Sequence, residues 1–170
     1  MTRPFILTLQ LDQKSDVYFQ DMRQQHFPPA LNIVPAHITL FHQLPASEER
    51  AVFRALGEAV VKRAPFKFCV SGLRRLGRGV AYEIDGDELI SLRAELAERF
   101  ADYLVQQDKQ KFRPHVTIQN KVSPARASGL FEHLSASFVP FAGVAEGLQL
   151  WRYEGGPWQP VAAFPFQSSA

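Results

Sequence analysis

One short pattern occurs twice in this chain: Pro35-Ala36-His37-Ile38-Thr39-Leu40 and Arg113-Pro114-His115-Val116-Thr117-Ile118. Read as β-strands, each segment projects its His and Thr from one face, while Ile38 and Leu40, or Val116 and Ile118, point the other way. An apolar row backing a polar pair predicts a half-buried strand beside an opening, and two such strands predict a two-sided cleft. Threonine suits strands in any case, so a single His-x-Thr says little. Here, however, the chain has five His and only Thr2, Thr8, Thr39 and Thr117, and two of those threonines complete the pattern in the same apolar register.

The repetition reaches further. Pro65-Phe66 … Gly72-Leu73 … Leu76 aligns without gaps on Pro140-Phe141 … Gly147-Leu148 … Trp151, an offset of 141 − 66 = 75 residues, against 115 − 37 = 78 for the histidines. Three residues are therefore missing from the second copy, in its helix. Each copy reads as motif strand, amphipathic helix, Pro-Phe, long strand and turn. The period is too long for a solenoid and fits one duplicated lobe.

Strand patterns cover Phe5 to Leu11, 36–42, 66–76, 79–85, 114–120, 138–153 and 159–166. Helices are expected from Asp12 to His26, from a Ser47 N-cap to about Arg63, over 87–107 on the spacing of Leu89, Leu92, Leu96, Phe100 and Leu104, and from Ser123-Pro124. Gly77-Arg78-Gly79 and Gly155-Gly156-Pro157 read as turns, and Gln167 to Ala170 as a frayed end. Helices mixed with hairpin-joined strands predict an α+β fold with antiparallel sheets rather than a doubly wound nucleotide fold. The expected arrangement is a single domain over 1–170. It holds two pseudo-symmetric lobes, about 30–85 and about 110–166, each an antiparallel sheet with flanking helices around a central cleft.

Composition excludes several classes. Lone Cys69, in an alternating strand, gives no disulfide framework and reads as a buried structural thiol. No apolar run approaches the roughly 20 residues of a membrane span, and the N-terminal segment lacks a leader pattern, so a soluble cytoplasmic protein is expected. A net charge of +2 does not demand nucleic acid but would not repel a phosphorylated ligand. There is no Gly-rich phosphate loop, and no Cys/His or carboxylate set has metal-ligand spacing.

The paired motifs, with Phe112-Arg113-Pro114-His115-Val116-Thr117-Ile118 the most telling, resemble those of the two-histidine (2H) phosphoesterases. The resemblance is closer to their bacterial 2′-5′ RNA ligase-like branch, and it spans nearly the whole chain. It implies a cleft floored by the two motif strands and cleavage of a 2′,3′-cyclic phosphate or related phosphodiester on a nucleotide or RNA end. No metal or cofactor is implied. His37 and His115 would be the acid–base pair, with Thr39 and Thr117 binding the phosphate; ligation of 2′-5′ linkages would be the formal reverse. The chemistry is self-consistent. An imidazole titrates near pH 6.5 and serves as base or acid, and two hydroxyls can hold the non-bridging oxygens.

Other candidates follow from strand parity. Arg113 shares a face with His115 and Thr117 and could clamp phosphate; Phe41 shares one with His37 and Thr39 and could stack on a base. Tyr82 could line the cleft from the neighbouring hairpin. Parity puts His42 on the apolar face, a core or strand-end histidine, while His26 and His133 fall near helix ends. Arg74, Arg75 and Arg78 form a basic hairpin that could touch RNA phosphates. Two further readings use the same residues: a non-catalytic RNA or nucleotide-binding module, and a metal-dependent hydrolase. Binding alone does not need two titratable imidazoles, and neither motif contains an Asp or Glu.

Overall fold

The computed structural model describes residues 3–169. Their elements run β1 (Phe5–Leu11), α1 (Gln13–His26), β2 (Thr39–Leu44), α2 (Glu49–Val61), β3 (Phe66–Leu76), β4 (Gly79–Asp85), α3 (Asp87–Arg99), α4 (Gln106–Lys109), β5 (His115–Gln119), α5 (Pro124–Ser135), β6 (Phe141–Arg152) and β7 (Gln159–Pro165). The fold is α+β, and every strand pairing is antiparallel.

In place of one sheet per lobe, the described strands form a single sheet in the order β2-β1-β6-β3-β4-β5, with β7 also on β6. The length of β6 joins them: its first half pairs with β3 and its second with β7, while β1 follows it on the other side. The order is palindromic for a repeat of strand, helix, motif strand, helix, long strand. β1-α1-β2-α2-β3 is followed by β4-α3-β5-α5-β6, and the motif strand of each unit lies at an edge. This unit begins one strand and one helix before the motif strand, earlier than the sequence pattern suggests. At the centre Phe66 faces Ala145, Val70 faces Phe141 and Phe68 faces Gly143. These are the pairs that the 75-residue offset interchanges, so Phe68–Gly143 sits on the pseudo-twofold. A Cβ on Gly143 would collide with the Phe68 ring and Ser15 Oγ, so this crossing needs glycine.

Five strand spacings separate β2 from β5, about 24 Å on a flat sheet. The sheet coils instead, and the two edges are tied by buried arginines, each reaching from the first helix of one unit to the motif strand of the other. Arg23 on α1 donates to the Thr117 carbonyl (2.9 Å) and to Asn32 Oδ1 (2.8 Å). Arg93 on α3 donates to the Leu40 carbonyl (2.6 Å) and the Asp108 carbonyl (2.7 Å). Phe27 and Phe41 lie against the two guanidiniums, at 4.1 and 4.0 Å. An edge strand leaves carbonyls without partners, and these bonds satisfy them. Around this frame Phe5, Leu7, Phe19, Leu40, Phe68, Leu92 and Phe100 form one core.

Several boundaries differ from the sequence reading. α3 stops at Arg99, because buried Phe100 turns the chain and α4 places Asp108 against β2. Ser47 does not cap α2; it lies in a single 3-10 turn, Ala46–Glu48. The end is not frayed at Gln167 and Ser168, whose amides donate to the Val60 and Arg63 carbonyls (3.0 and 2.9 Å); Ala170 lies outside the described residues. Cys69 is half-buried rather than buried, on the face opposite Phe68 and Val70. No described helix is long and apolar enough to cross a membrane.

Candidate active site

The two motifs meet in one cavity of about 480 Å³, lined among others by His37, Thr39, His115, Thr117, Arg113 and Trp158. His37 lies just before β2, and the Leu9 amide donates to the Ile38 carbonyl (3.0 Å), so the ladder reaches the residue beside it. Gln20 on α1 fixes the approach by accepting from the Ala36 amide (2.9 Å) and donating to the Ala36 carbonyl (3.1 Å). His115 opens β5 opposite Glu83, and Thr117 lies opposite Ala81.

Each imidazole is held in the same way. His37 Nδ1 lies 2.6 Å from the Pro35 carbonyl and His115 Nδ1 2.8 Å from the Arg113 carbonyl. A carbonyl only accepts, so both Nδ1 atoms carry the proton and both Nε2 atoms are left with a lone pair. Arg74 approaches His115 Nδ1 at 3.2 Å, where that N–H gives it nothing to bond; it acts there as a positive charge, anchored by Glu83 at 2.8 Å.

Burial pushes His37 down to about 4; the Pro35 bond works against this, while the charges of Arg23, His115 and His42 add to it. His115 is lowered first by burial, opposed by the Arg113 carbonyl and helped by Arg74. Burial therefore favours the neutral form of both imidazoles near pH 7. The Trp158 ring covers His37 at 4.5 Å between centroids.

The remaining candidates separate. Arg113 lines the cavity, its guanidinium 3.5 Å from Glu83. Of the basic hairpin only Arg74 reaches the cavity, since Arg75 and Arg78 donate to the Pro124 and Val122 carbonyls. Phe41 is not a cleft residue: it is fully buried, edge-on to Phe100 at 5.5 Å. Strand parity fails because β2 is bulged. Thr8 faces Thr39, Leu7 faces Phe41 and Phe5 faces Leu44, so β2 spends five residues where β1 spends three. Leu40 and Phe41 both turn inward, and His42 and Gln43 both turn outward. His42 is thus no core histidine; it lines the cavity, with Nδ1 2.9 Å from Asp108 Oδ1. Tyr82 also leaves the cleft. It sits opposite core residue Val116 and bonds Tyr18 through the hydroxyls at 2.9 Å.

Arg93, Asp108, Lys111 and Trp158 also line the cavity, and no spacing in the sequence marks them. Burial raises the Asp108 carboxyl, but hydrogen bonds from the His42 ring and the His42 and Gln43 amides outweigh it, and the group is held below the usual range. Among the described residues, no group of three or more His, Cys, Asp or Glu is placed to hold a metal ion.

Comparison with known proteins agrees with this fold. The model of the 2′-5′ RNA ligase superfamily matches residues 11–157, and the chain belongs to that family of two-histidine phosphoesterases and ligases. Among solved structures, TT0787 of Thermus thermophilus is similar at TM-score 0.70 and 15% identity, covering 98% of this chain and 100% of its own. Escherichia coli LigT complexed with 3′-AMP is similar at TM-score 0.67 and 18% identity, covering 99% and 100%. A crystallised phosphoesterase follows at 0.65 and 16%, covering 99% and 100%. These likenesses carry the fold. No curated protein matches the chain.

Proposed function

We propose that the protein hydrolyses 2′,3′-cyclic phosphates or related phosphodiesters at nucleotide or RNA ends without a metal, through His37 and His115. The observation that carries this reading is the pair of imidazoles in one cavity, each with Nδ1–H fixed on the carbonyl two residues earlier and Nε2 left for proton transfer. One Nε2 takes a proton from water as the oxygen attacks phosphorus; the other imidazole, protonated, gives its proton to the departing ribose oxygen. Thr39 and Thr117 hold the non-bridging oxygens, and Arg74 and Arg113 offset the charge that builds there. An anion entering this cleft also favours the imidazolium that burial disfavours, so the substrate helps to charge its own acid. With a 5′-hydroxyl in place of water, the same attack on a 2′,3′-cyclic phosphate breaks the P–O3′ bond, protonates the 3′-oxygen and leaves a 2′-5′ linkage. Escherichia coli LigT was crystallised with 3′-AMP, ATP and NADP+, which supports a nucleotide ligand here.

The test is a turnover screen in excess chelator, across 2′,3′-cyclic nucleotides and short RNAs with 2′,3′-cyclic ends. Hydrolysis that survives chelation and disappears in His37→Ala and His115→Ala is the expected result. Activity restored only by one added metal would favour a metal-dependent hydrolase, and binding without turnover would favour a sensor.

A further inference from the structure

The histidine centre does not use the side of the cleft built by α4 and the outer part of β2. Here the double bulge turns His42 out of the core, and buried Asp108 receives it. One carboxylate accepts from the His42 amide (2.9 Å), the Gln43 amide (3.0 Å) and the His42 ring Nδ1 (2.9 Å). The Asp108 side chain is 1% exposed and the His42 side chain 45%. A carboxylate on Nδ1 holds the ring with Nε2 towards the cavity, and a phosphate is bound there by the doubly protonated ring, one N–H donating to Asp108 and the other to the anion. Exposed Lys111 lines the same cavity, with Gln107, Gln110 and Arg93. The single carboxylate on this wall is already satisfied by those three donors and faces inward. The other polar side chains named on this wall are cations, amides and an imidazole.

The reacting phosphate belongs between His37, His115, Thr39 and Thr117. The cavity holds about 480 Å³, far more than one phosphate group fills, so the reacting phosphate leaves room on the wall of His42 and Lys111. We propose that His42 and Lys111 form a second phosphate subsite, which takes another phosphate of the same nucleotide chain, and that the site thereby favours RNA ends over simple mononucleotides. His42, fixed by Asp108, is then a specificity-determining residue. This inference rests on the phosphodiesterase reading for its context, but not for its test.

Calorimetric titration compares adenosine 3′-monophosphate, adenosine 3′,5′-bisphosphate and the 3′-phosphorylated diadenylate ApAp on the whole chain, wild type and variants. A charge-assisted pair of contacts should make at least one two-phosphate ligand bind about tenfold more tightly than the monophosphate. That advantage should shrink below about threefold in His42→Gln and in Lys111→Ala, and it should weaken steeply with salt in the wild type. Lys111→Ala changes an exposed side chain, so it tests the subsite even if His42→Gln unsettles the Asp108 contact. An advantage confined to ApAp identifies an internucleotide phosphate; one shared by the bisphosphate identifies a terminal 5′-phosphate. Both outcomes support the subsite. Equal binding of all three ligands by the wild type, or an advantage that both variants keep, overturns it. Failure of every cyclic phosphate to turn over would sink the proposed activity while leaving this titration decisive.

Discussion

The two edges of the sheet are built alike and environed differently. At each edge a histidine donates through Nδ1 to the carbonyl two residues earlier, a threonine follows on the cleft face, and a buried arginine from the opposite unit binds a carbonyl of the motif strand. Yet His37 lies beneath Trp158, beside a bulged strand and the charge of Arg23, whereas His115 lies in an ion network of Arg74, Glu83 and Arg113. The symmetric strand order supplies two equal frames; the surroundings make the two imidazoles unequal. A displacement at phosphorus with one base and one acid calls for such a pair, alike in reach and different in proton affinity.

The largest expected effects come from breaking the frames one at a time. On the proposed reading, His37→Ala and His115→Ala each lower turnover by about 10² to 10⁴ with the fold retained, because neither imidazole can do its partner's task. A substrate whose leaving group needs no proton separates the roles. The acid variant should recover most of its rate and the base variant should not; equal recovery of both would mean that the two edges are not functionally distinct.

Thr39→Val and Thr117→Val come next. Valine keeps shape and strand preference, so what is lost is one hydroxyl on each side, at about 10² in rate if both hold the developing charge. Steady-state kinetics on the same substrate checks this. A loss at only one threonine would show that the phosphate leans to one edge, and no loss at either would reduce both to strand residues.

The sequence shows the frames better than the surroundings. Paired motifs, the long strands and the offset are local repeats of residue type, and they point to antiparallel α+β and to His37, Thr39, His115 and Thr117. What alternation cannot show is a bulge. Phe41 reads as a cleft residue and His42 as a core residue because parity assumes one residue per pleat, and β2 carries two extra. Tyr82 depends on cross-strand register with Val116, and Trp158 on the turn that folds β7 back. Arg93 and Asp108 are distant in sequence from β2, and only the early end of α3 brings them to its edge.

The buried arginines offer a comparison in stability. Arg93→Met strands the Leu40 and Asp108 carbonyls, and Arg23→Met strands the Thr117 carbonyl and Asn32. Each should cost about 1–3 kcal/mol, read as a lower midpoint in urea. They should differ in chemistry. Losing Arg23 removes a charge that lowers His37, so the acid limb of kcat/KM moves to higher pH in Arg23→Met alone. A matching shift in Arg93→Met would assign it to general loosening.

The smallest effect is the pH dependence of stability, and it compares the two histidines directly. His37 falls to about 4 in the fold from an ordinary 6.5. Between these values the unfolded chain binds a proton that the folded chain refuses, so stability declines as pH falls from 6.5 towards 4. His115 and His26 are lowered by burial and act in the same direction. Asp108 acts in the same direction at lower pH: its stabilisation is present above its unfolded value and is lost as pH falls through its lowered folded one, below this window. The thermal midpoint of the wild type should therefore drop between pH 7 and 5. His37→Asn should flatten that drop more than His115→Asn, since the more depressed imidazole contributes the steeper slope. Inorganic phosphate should flatten it as well, by favouring the imidazoliums in the folded state. Equal flattening by the two asparagine variants would show that Trp158 and Arg23 do not set His37 apart, and the difference between the edges would then have to lie in the substrate.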